Sequence, residues 1–267
     1  MLPMWRFLSY CKKGNVRTVL FFTDLDNTVI YSNRHTISDP MVWVETLNGR
    51  QQSFVSERTY NFYESQKWLE VIPVTTRTYQ QYDRLKKMRE SFGWRHALIC
   101  NGAILLEDGK EDIEWTKNST LISETDRPAF IDALQLARQV SGDDSVVSVA
   151  PFMFYVKTDD VEKVYTVLSH QTDRFHLSIL RDARKVYCIP NSLSKGTAAE
   201  RYMARYGHDG YIAAGDSDFD IPMLKNADIC FCPDGISPFK VKGMKKICTG
   251  LFSDGICDEL ERLRKEA

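Results

Sequence analysis

Short apolar runs without polar alternation punctuate the chain at residues 19–22, 71–74, 97–100 and 211–214, with a looser fifth at 227–232. A strand covered on both faces of a parallel sheet reads this way, whereas a half-exposed strand alternates. The five runs therefore predict buried parallel strands. The first ends in Thr23-Asp24-Leu25-Asp26-Asn27-Thr28, the second in Thr75-Thr76-Arg77, the third in Asn101-Gly102-Ala103, and the fourth in Gly215-Asp216-Ser217-Asp218-Phe219-Asp220. In an open α/β sheet the ligand crevice lies beyond the carboxyl ends of the strands, so these endings are expected to converge on one site. After the second run, Tyr79, Tyr82, Leu85 and Met88 recur every third residue and predict a helix.

The pattern changes between about residues 108 and 188. Phe130, Leu134, Ala137 and Val140 predict an amphipathic helix, and residues 146–156 a long β-rich run. A second helix follows on Val161, Val164, Val167 and Leu168, with strands expected at 175–180 and 186–189. The segment reads as a small α+β insert with its own sheet. Its Trp115 is expected on the first strand of the insert, either stacking on a ligand or packing between layers. Residues 42–55 read as a hairpin around Asn48-Gly49, the preferred pair for a type I′ turn. Residues 1–10 read as a strap packed on the body, because Lys12 and Lys13 follow the apolar stretch, the wrong order for a secretory signal. Residues 258–265 read as a charged terminal helix with a solvated face.

With 43% hydrophobic and 27% charged residues, the 267-residue chain has the make-up of a folded globular protein, which excludes disordered, collagenous and coiled-coil classes. Lys and Arg number 35 against 36 Asp and Glu, so no overall charge marks it for nucleic acid or membrane. No apolar stretch approaches the length that spans a bilayer. Seven cysteines in mostly apolar surroundings suit buried thiols, and a cytoplasmic location is expected. The five histidines lack metal-ligand spacing and are assigned to surface or packing.

Asp24 and Asp26 lie two apart directly after a buried strand, and Asp216 and Asp220 follow another. Each pair alone is equally a set of loop-capping aspartates. Together with Thr75 and Lys195, they put four carboxylates, a hydroxyl and a cation at one crevice mouth. Hard oxygen ligands of this kind suit Mg²⁺, which bridges to phosphate. Lys195 falls at a predicted helix start in Ser194-Lys195-Gly196-Thr197, where its charge opposes the helix dipole; that placement favours a functional role.

These segments resemble the haloacid dehalogenase superfamily, specifically its Cof and sucrose-phosphate phosphatase group with a C2-type cap. Asp24-Leu25-Asp26-Asn27-Thr28 matches the first motif, Thr75-Thr76-Arg77 the second, Lys195 in Ser-Lys-Gly the third, and residues 215–220 the fourth. Asn101-Gly102-Ala103 resembles the group's NGA strand ending. The chain departs from the pattern at Thr76, where Gly is usual, and at Phe219, where Asn is common. The hairpin at 42–55 lies in the family's flap position and is longer than in many relatives; it is either an entrance wall or a surface embellishment.

The resemblance implies an α/β fold: a Rossmann-like parallel sheet with helices on both faces, formed by residues 1–107 and 189–267, and a small α+β cap at 108–188. It implies a Mg²⁺-dependent phosphomonoester hydrolase acting on a small phosphorylated metabolite, sugar phosphates foremost. Asp24 would be the nucleophile that forms an aspartyl-phosphate, and Asp26 the general acid and base. Asp24, the Asp26 carbonyl and Asp216 would hold Mg²⁺, with Asp220 as a further ligand or an anchor behind them. Thr75, Thr76 and Lys195 would hold phosphoryl oxygens, aided by Arg77 unless that residue is solvated. Asn101, Arg181 and Arg184 are candidate substrate contacts. The alternatives are a phosphotransferase or mutase of the same superfamily and a non-catalytic module that binds phosphorylated metabolites. No nucleic-acid or membrane partner is expected.

Overall fold

Leu20, Phe21 and Phe22 are completely buried, and their alternating side chains feed two different cores. The reason is visible in the computed structural model, which describes residues 10–13 and 16–266. Strand β1 (Tyr10–Lys13) runs antiparallel to the start of β2 (Val16–Thr23). The strap expected at residues 1–10 falls almost wholly outside the described residues.

The chain next forms an antiparallel sheet of β3 (Tyr31–Ser32), β4 (Met41–Leu47) and β5 (Arg50–Ser56). Asn48 and Gly49 take φ of 51° and 75°, the left-handed pair that the expected turn requires. Helix α1 (Glu57–Ser65), capped by the Ser56 hydroxyl, leads into β6 (Leu69–Pro73), which pairs parallel with β2. The helix expected from the Tyr79 periodicity is two short ones, α2 (Tyr79–Asp83) and α3 (Lys86–Phe92). Strands β7 (His96–Ile99), β8 (Ile104–Glu107) and β9 (Lys110–Glu111) form an antiparallel ladder, joined to the β6 end by the parallel bridge Val74 to Leu98.

Helix α4 (Ile113–Ile122) corrects one expectation. Trp115 lies on this helix and not on an insert strand, and it packs in the same core as Leu20 and Phe22, its indole N–H donating to the Gly102 carbonyl at 3.0 Å. A second α/β unit follows α4, which itself packs with the main sheet although it falls within the range expected for the insert.

That unit comprises α5 (Arg127–Ser141), β10 (Val146–Val149), β11 (Met153–Lys157), α6 (Val161–Gln171), β12 (Leu177–Asp182) and β13 (Lys185–Pro190). The four strands form an antiparallel sheet in the order β10-β11-β13-β12. Phe154, Val156, Val186 and Cys188 pack under α5 and α6, while Tyr155, Tyr187 and Ile189 turn to the opposite face and join the larger core. The period of two thus gives this sheet one helix-covered face and one that meets the rest of the protein.

The chain returns through α7 (Lys195–Tyr206), β14 (Ile212–Ala214), α8 (Ile221–Asn226), β15 (Ile229–Pro233), β16 (Met244–Cys248) and α9 (Phe252–Glu266). The main sheet runs β6-β2-β14-β15-β16, all parallel, with β1 on the first half of β2. Helices α1, α3 and α9 cover the face of Val19 and Phe21; α4, α7 and α8 cover that of Leu20 and Phe22. The terminal helix is not merely a solvated face: Ile256, Cys257, Leu260 and Leu263 are buried against the sheet. Six of the cysteines are free, buried thiols. Among the described residues, no helix is long and apolar enough to cross a membrane.

Candidate active site

Parallel pairing of β2 with β14 in the register Thr23 to Ala214 brings the ends of these two strands together, and the Asp24 N–H donates to the Ala214 carbonyl at 2.9 Å. Beyond β2 the backbone turns at once. The amides of Thr28, Val29 and Ile30 all reach the Leu25 carbonyl, with Asn27 at φ 60° making the bend. The turn returns Thr28 to the site, where its hydroxyl donates to Asp216 Oδ1 at 3.1 Å. Beyond β14, Gly215 sits where a Cβ would lie 2.3 Å from that of Asp220, so only glycine lets Asp220 fold back under the loop.

Lys195 enters as the first residue of α7, whose capping box is formed by Ser194 and Thr197. Gly196 lets this turn approach α8: a Cβ there would meet the Pro222 carbonyl oxygen at 2.5 Å. The Lys195 side chain is fully buried and donates to Asp24 Oδ1 at 2.5 Å and Asp220 Oδ1 at 2.6 Å. The second Asp220 oxygen accepts from the Asp216 and Ser217 amides and the Ser217 hydroxyl. With both oxygens engaged, Asp220 is an anchor that holds the lysine and the loop.

Asp24, Asp216 and Asp220 bring carboxylate oxygens within 4.8 Å of one another. One lysine does not neutralise two buried carboxylates and a half-buried third. Burial pushes Asp24 well above the usual carboxylate range, Asp220 and Asp216 add to this, and Lys195 opposes it. Burial and then Asp220 push Asp216 up to about 7. Burial alone would discharge Lys195, but Asp220 and Asp24 hold it protonated. The donor set, hard oxygens with surplus negative charge, fits a divalent cation of the Mg²⁺ type.

Asp26 has a different environment. Arg77 donates to both its oxygens at 2.8 Å, in a two-pronged pair. Burial would raise the Asp26 carboxyl, but Arg77 outweighs it and holds the group below its usual range. Arg77 is thus buried and committed to Asp26, not solvated and not free to grip phosphate. Thr75 is buried as well, its Oγ1 accepting from the Arg77 amide at 3.2 Å. Thr76, together with Asp24, Asp26, Lys195 and Asp216, lines a cavity of about 40 Å³, enough for a few water molecules.

Three expected substrate contacts are not brought to this cavity. Asn101 is buried and donates to the Leu193 carbonyl at 2.8 Å, steadying the turn before Lys195. Arg181 pairs with Glu162 and lies over the Tyr165 ring, and Arg184 pairs with Asp159. For Arg181 the strand period explains the miss, since the next residue, Asp182, lines the cavity with Tyr187 from the adjacent strand; Arg184 lies in the turn between the two strands. Tyr187 packs edge-on against Phe219 with ring centroids 5.2 Å apart, and its phenol accepts from Lys185 Nζ at 3.3 Å. Thr76 and Phe219, the two positions that depart from the motif pattern, both line the cavity together with this tyrosine. Glu45, a lone acid in the apolar run 42–45, was also missed; it is buried and accepts from Arg77, Arg84 and Ser53.

Residues 140–238 match the family model for haloacid dehalogenase-like hydrolases. Similar solved structures include a sucrose-phosphatase from Synechocystis sp. PCC6803, crystallised with sucrose and phosphate (13% identity, TM-score 0.58, covering 92% of this chain and 97% of that one). A sugar phosphatase of subclass IIB of the superfamily gives 12% identity and TM-score 0.58, with 92% and 98% covered. A phosphatase of the superfamily from Bacteroides thetaiotaomicron gives 16% identity and TM-score 0.54, with 95% and 98% covered. At these identities the likeness is one of fold. No curated protein sequence matches the chain.

Proposed function

We propose, from the match of residues 140–238 to the haloacid dehalogenase-like hydrolases and the likeness of fold, that this chain is a phosphatase that hydrolyses small phosphomonoesters, sugar phosphates foremost, through an aspartyl-phosphate on Asp24. The observation that carries the reading is the unequal treatment of two carboxylates two residues apart. Asp24 faces Lys195, Asp216 and Asp220, while Asp26 is gripped by Arg77. Pairs of acids in contrasting surroundings are how one site divides nucleophile from proton carrier.

Asp24, Asp216 and the Asp26 carbonyl would hold Mg²⁺, which when bound offsets the negative charge gathered between carboxylates and phosphate. Lys195 keeps Asp24 oriented and brings positive charge to the phosphoryl oxygens. Asp24 attacks phosphorus, the ester oxygen departs with a proton from Asp26, and Asp26 then takes a proton from the water that cleaves the acyl phosphate. An arriving phosphate raises Asp26 toward its protonated form by like-charge repulsion, against the pull of Arg77. Asp182 and Tyr187, on the second sheet, face the leaving group. They offer a carboxylate and an aromatic ring, both suited to hydroxyl-rich molecules.

Sugar-phosphate chemistry draws support from the sucrose-phosphatase and sugar-phosphatase neighbours and from these two side chains. The test is phosphate release from a panel of phosphomonoesters, with Mg²⁺ and with excess EDTA. Release from hexose phosphates that EDTA abolishes is the expected result. Full turnover in EDTA would sink the metal assignment, and no release from any ester would sink the phosphatase.

A further inference from the structure

Glu45 is the most deeply buried carboxylate outside the cluster around Lys195, at 3% exposure, yet it stands on a surface hairpin whose neighbours Thr46 and Leu47 are exposed. The backbone accounts for this. The β4 to β5 ladder slips register on both sides of Glu45, between Trp43 and Glu45 and again between Glu45 and Thr46. A bulge re-aims the side chain it carries, and here it turns an acid inward from a strand that otherwise packs with apolar residues.

A buried carboxylate is expensive unless its oxygens are fully engaged. Glu45 Oε2 accepts from Arg77 Nη2 at 3.0 Å and from the Ser53 hydroxyl at 2.6 Å; Oε1 accepts from Arg84 Nε at 2.6 Å. Arg77 spans the gap to the reacting centre, with Nε and Nη2 on the two Asp26 oxygens and Nη1 on the Gln81 carbonyl. The result is a row of alternating charge, Arg84, Glu45, Arg77 and Asp26, running from the hairpin to the proton carrier.

We propose that Glu45 is a positioning residue: the hairpin is part of the catalytic apparatus because Glu45, through Arg77, aims the Asp26 carboxyl at the leaving-group oxygen. The hairpin is thereby more than an entrance wall. Without Glu45 the guanidinium keeps its charge but loses one of the two carboxylates that fix its plane, and a planar two-pronged grip on Asp26 depends on that plane. The inference rests on the proposed role of Asp26.

Its signature is dependence on the leaving group. An alkoxide needs a well-aimed proton as the P–O bond breaks, whereas a nitrophenolate leaves without one. The measurement is kcat/KM, which reports the steps up to departure of the leaving group, for the best hexose phosphate of the panel and for para-nitrophenyl phosphate. In Glu45→Gln, kcat/KM should fall by about tenfold or more on the hexose phosphate and by less than about threefold on the aryl ester, the scale that misplacing a general acid produces. Equal proportional losses on the two esters would mean that Glu45 only supports folding, and no loss on either would mean that it does nothing for Asp26; each overturns the proposal. If Glu45→Gln does not fold by circular dichroism, Ser53→Ala releases one of the contacts that hold Glu45. It should lower the hexose-to-aryl ratio in the same direction, and an unchanged ratio overturns the proposal. A parent protein that cleaves neither ester removes the phosphatase reading and this inference with it. A parent active on both, with an unaltered ratio in the variants, removes this inference alone.

Discussion

Single residues decide the site where two groups need the same space. Gly215 is the sharpest case, because its missing Cβ is what admits Asp220, and Asp220 in turn holds Lys195 and the Asp216 loop. Gly215→Ala should cost about 1–3 kcal/mol by overpacking, read from urea unfolding, and should lower turnover well beyond what that loss of stability explains. A variant with parental turnover would show that Asp220 is not held in place by this contact. At this scale the sequence was most legible for residues that end a strand. Asp24, Asp26, Lys195 and Asp216 follow the strand-end rule or a helix-start rule, so their convergence could be expected. Glu45 and Tyr187 could not be found that way. The first depends on a bulge and the second on which face of an antiparallel strand meets the core, and neither is written in local composition.

Elements were legible where their pattern was strong and misread where packing overruled it. The five apolar runs are strands, and the Asn48-Gly49 hairpin turns as expected. The residues around Trp115 form a helix where the pattern predicts a strand of the insert, because Asp112 caps it by accepting from the Trp115 amide at 2.8 Å. The charges of the terminal helix predict a solvated face, while Ile256, Leu260 and Leu263, spaced at three and four, carry its buried stripe.

The connections into and out of the second sheet meet at Asp126. Its carboxylate accepts from the Ser192 amide and hydroxyl, at 3.1 and 2.6 Å, and pairs with His176 Nδ1 at 3.0 Å. The hydrogen bond to Asp126 raises His176 above its ordinary value. A group raised in the folded state contributes stability that is complete below its unfolded value and fades as pH rises through the folded one. The melting-temperature gap between the protein and His176→Gln should therefore be wider at about pH 5.5 than at about pH 8.5. A gap that widens with rising pH would contradict the pairing.

For the molecule as a whole, the second sheet closes the site. Tyr187 stands on Phe219 and lines, with Thr76, a cavity of about 40 Å³. Lifting of this sheet would widen the cavity for a sugar phosphate, and the contact between Tyr187 and Phe219 is what such a movement would break. Phe219→Asn removes the aromatic contact and should speed amide hydrogen exchange in β13 while leaving β2 and α7 unchanged. Unaltered exchange in β13 would mean that Phe219 plays no part in closure.

The account stands or falls on Asp24 as the group that takes the phosphoryl. The direct measurement is an acid quench of the protein turning over a hexose phosphate with Mg²⁺, followed by peptide mass spectrometry. The account predicts one phosphoryl group on the peptide bearing Asp24, lost in Asp24→Asn together with phosphate release. Parental turnover by Asp24→Asn, or a phosphoryl group trapped on a different residue, would contradict it.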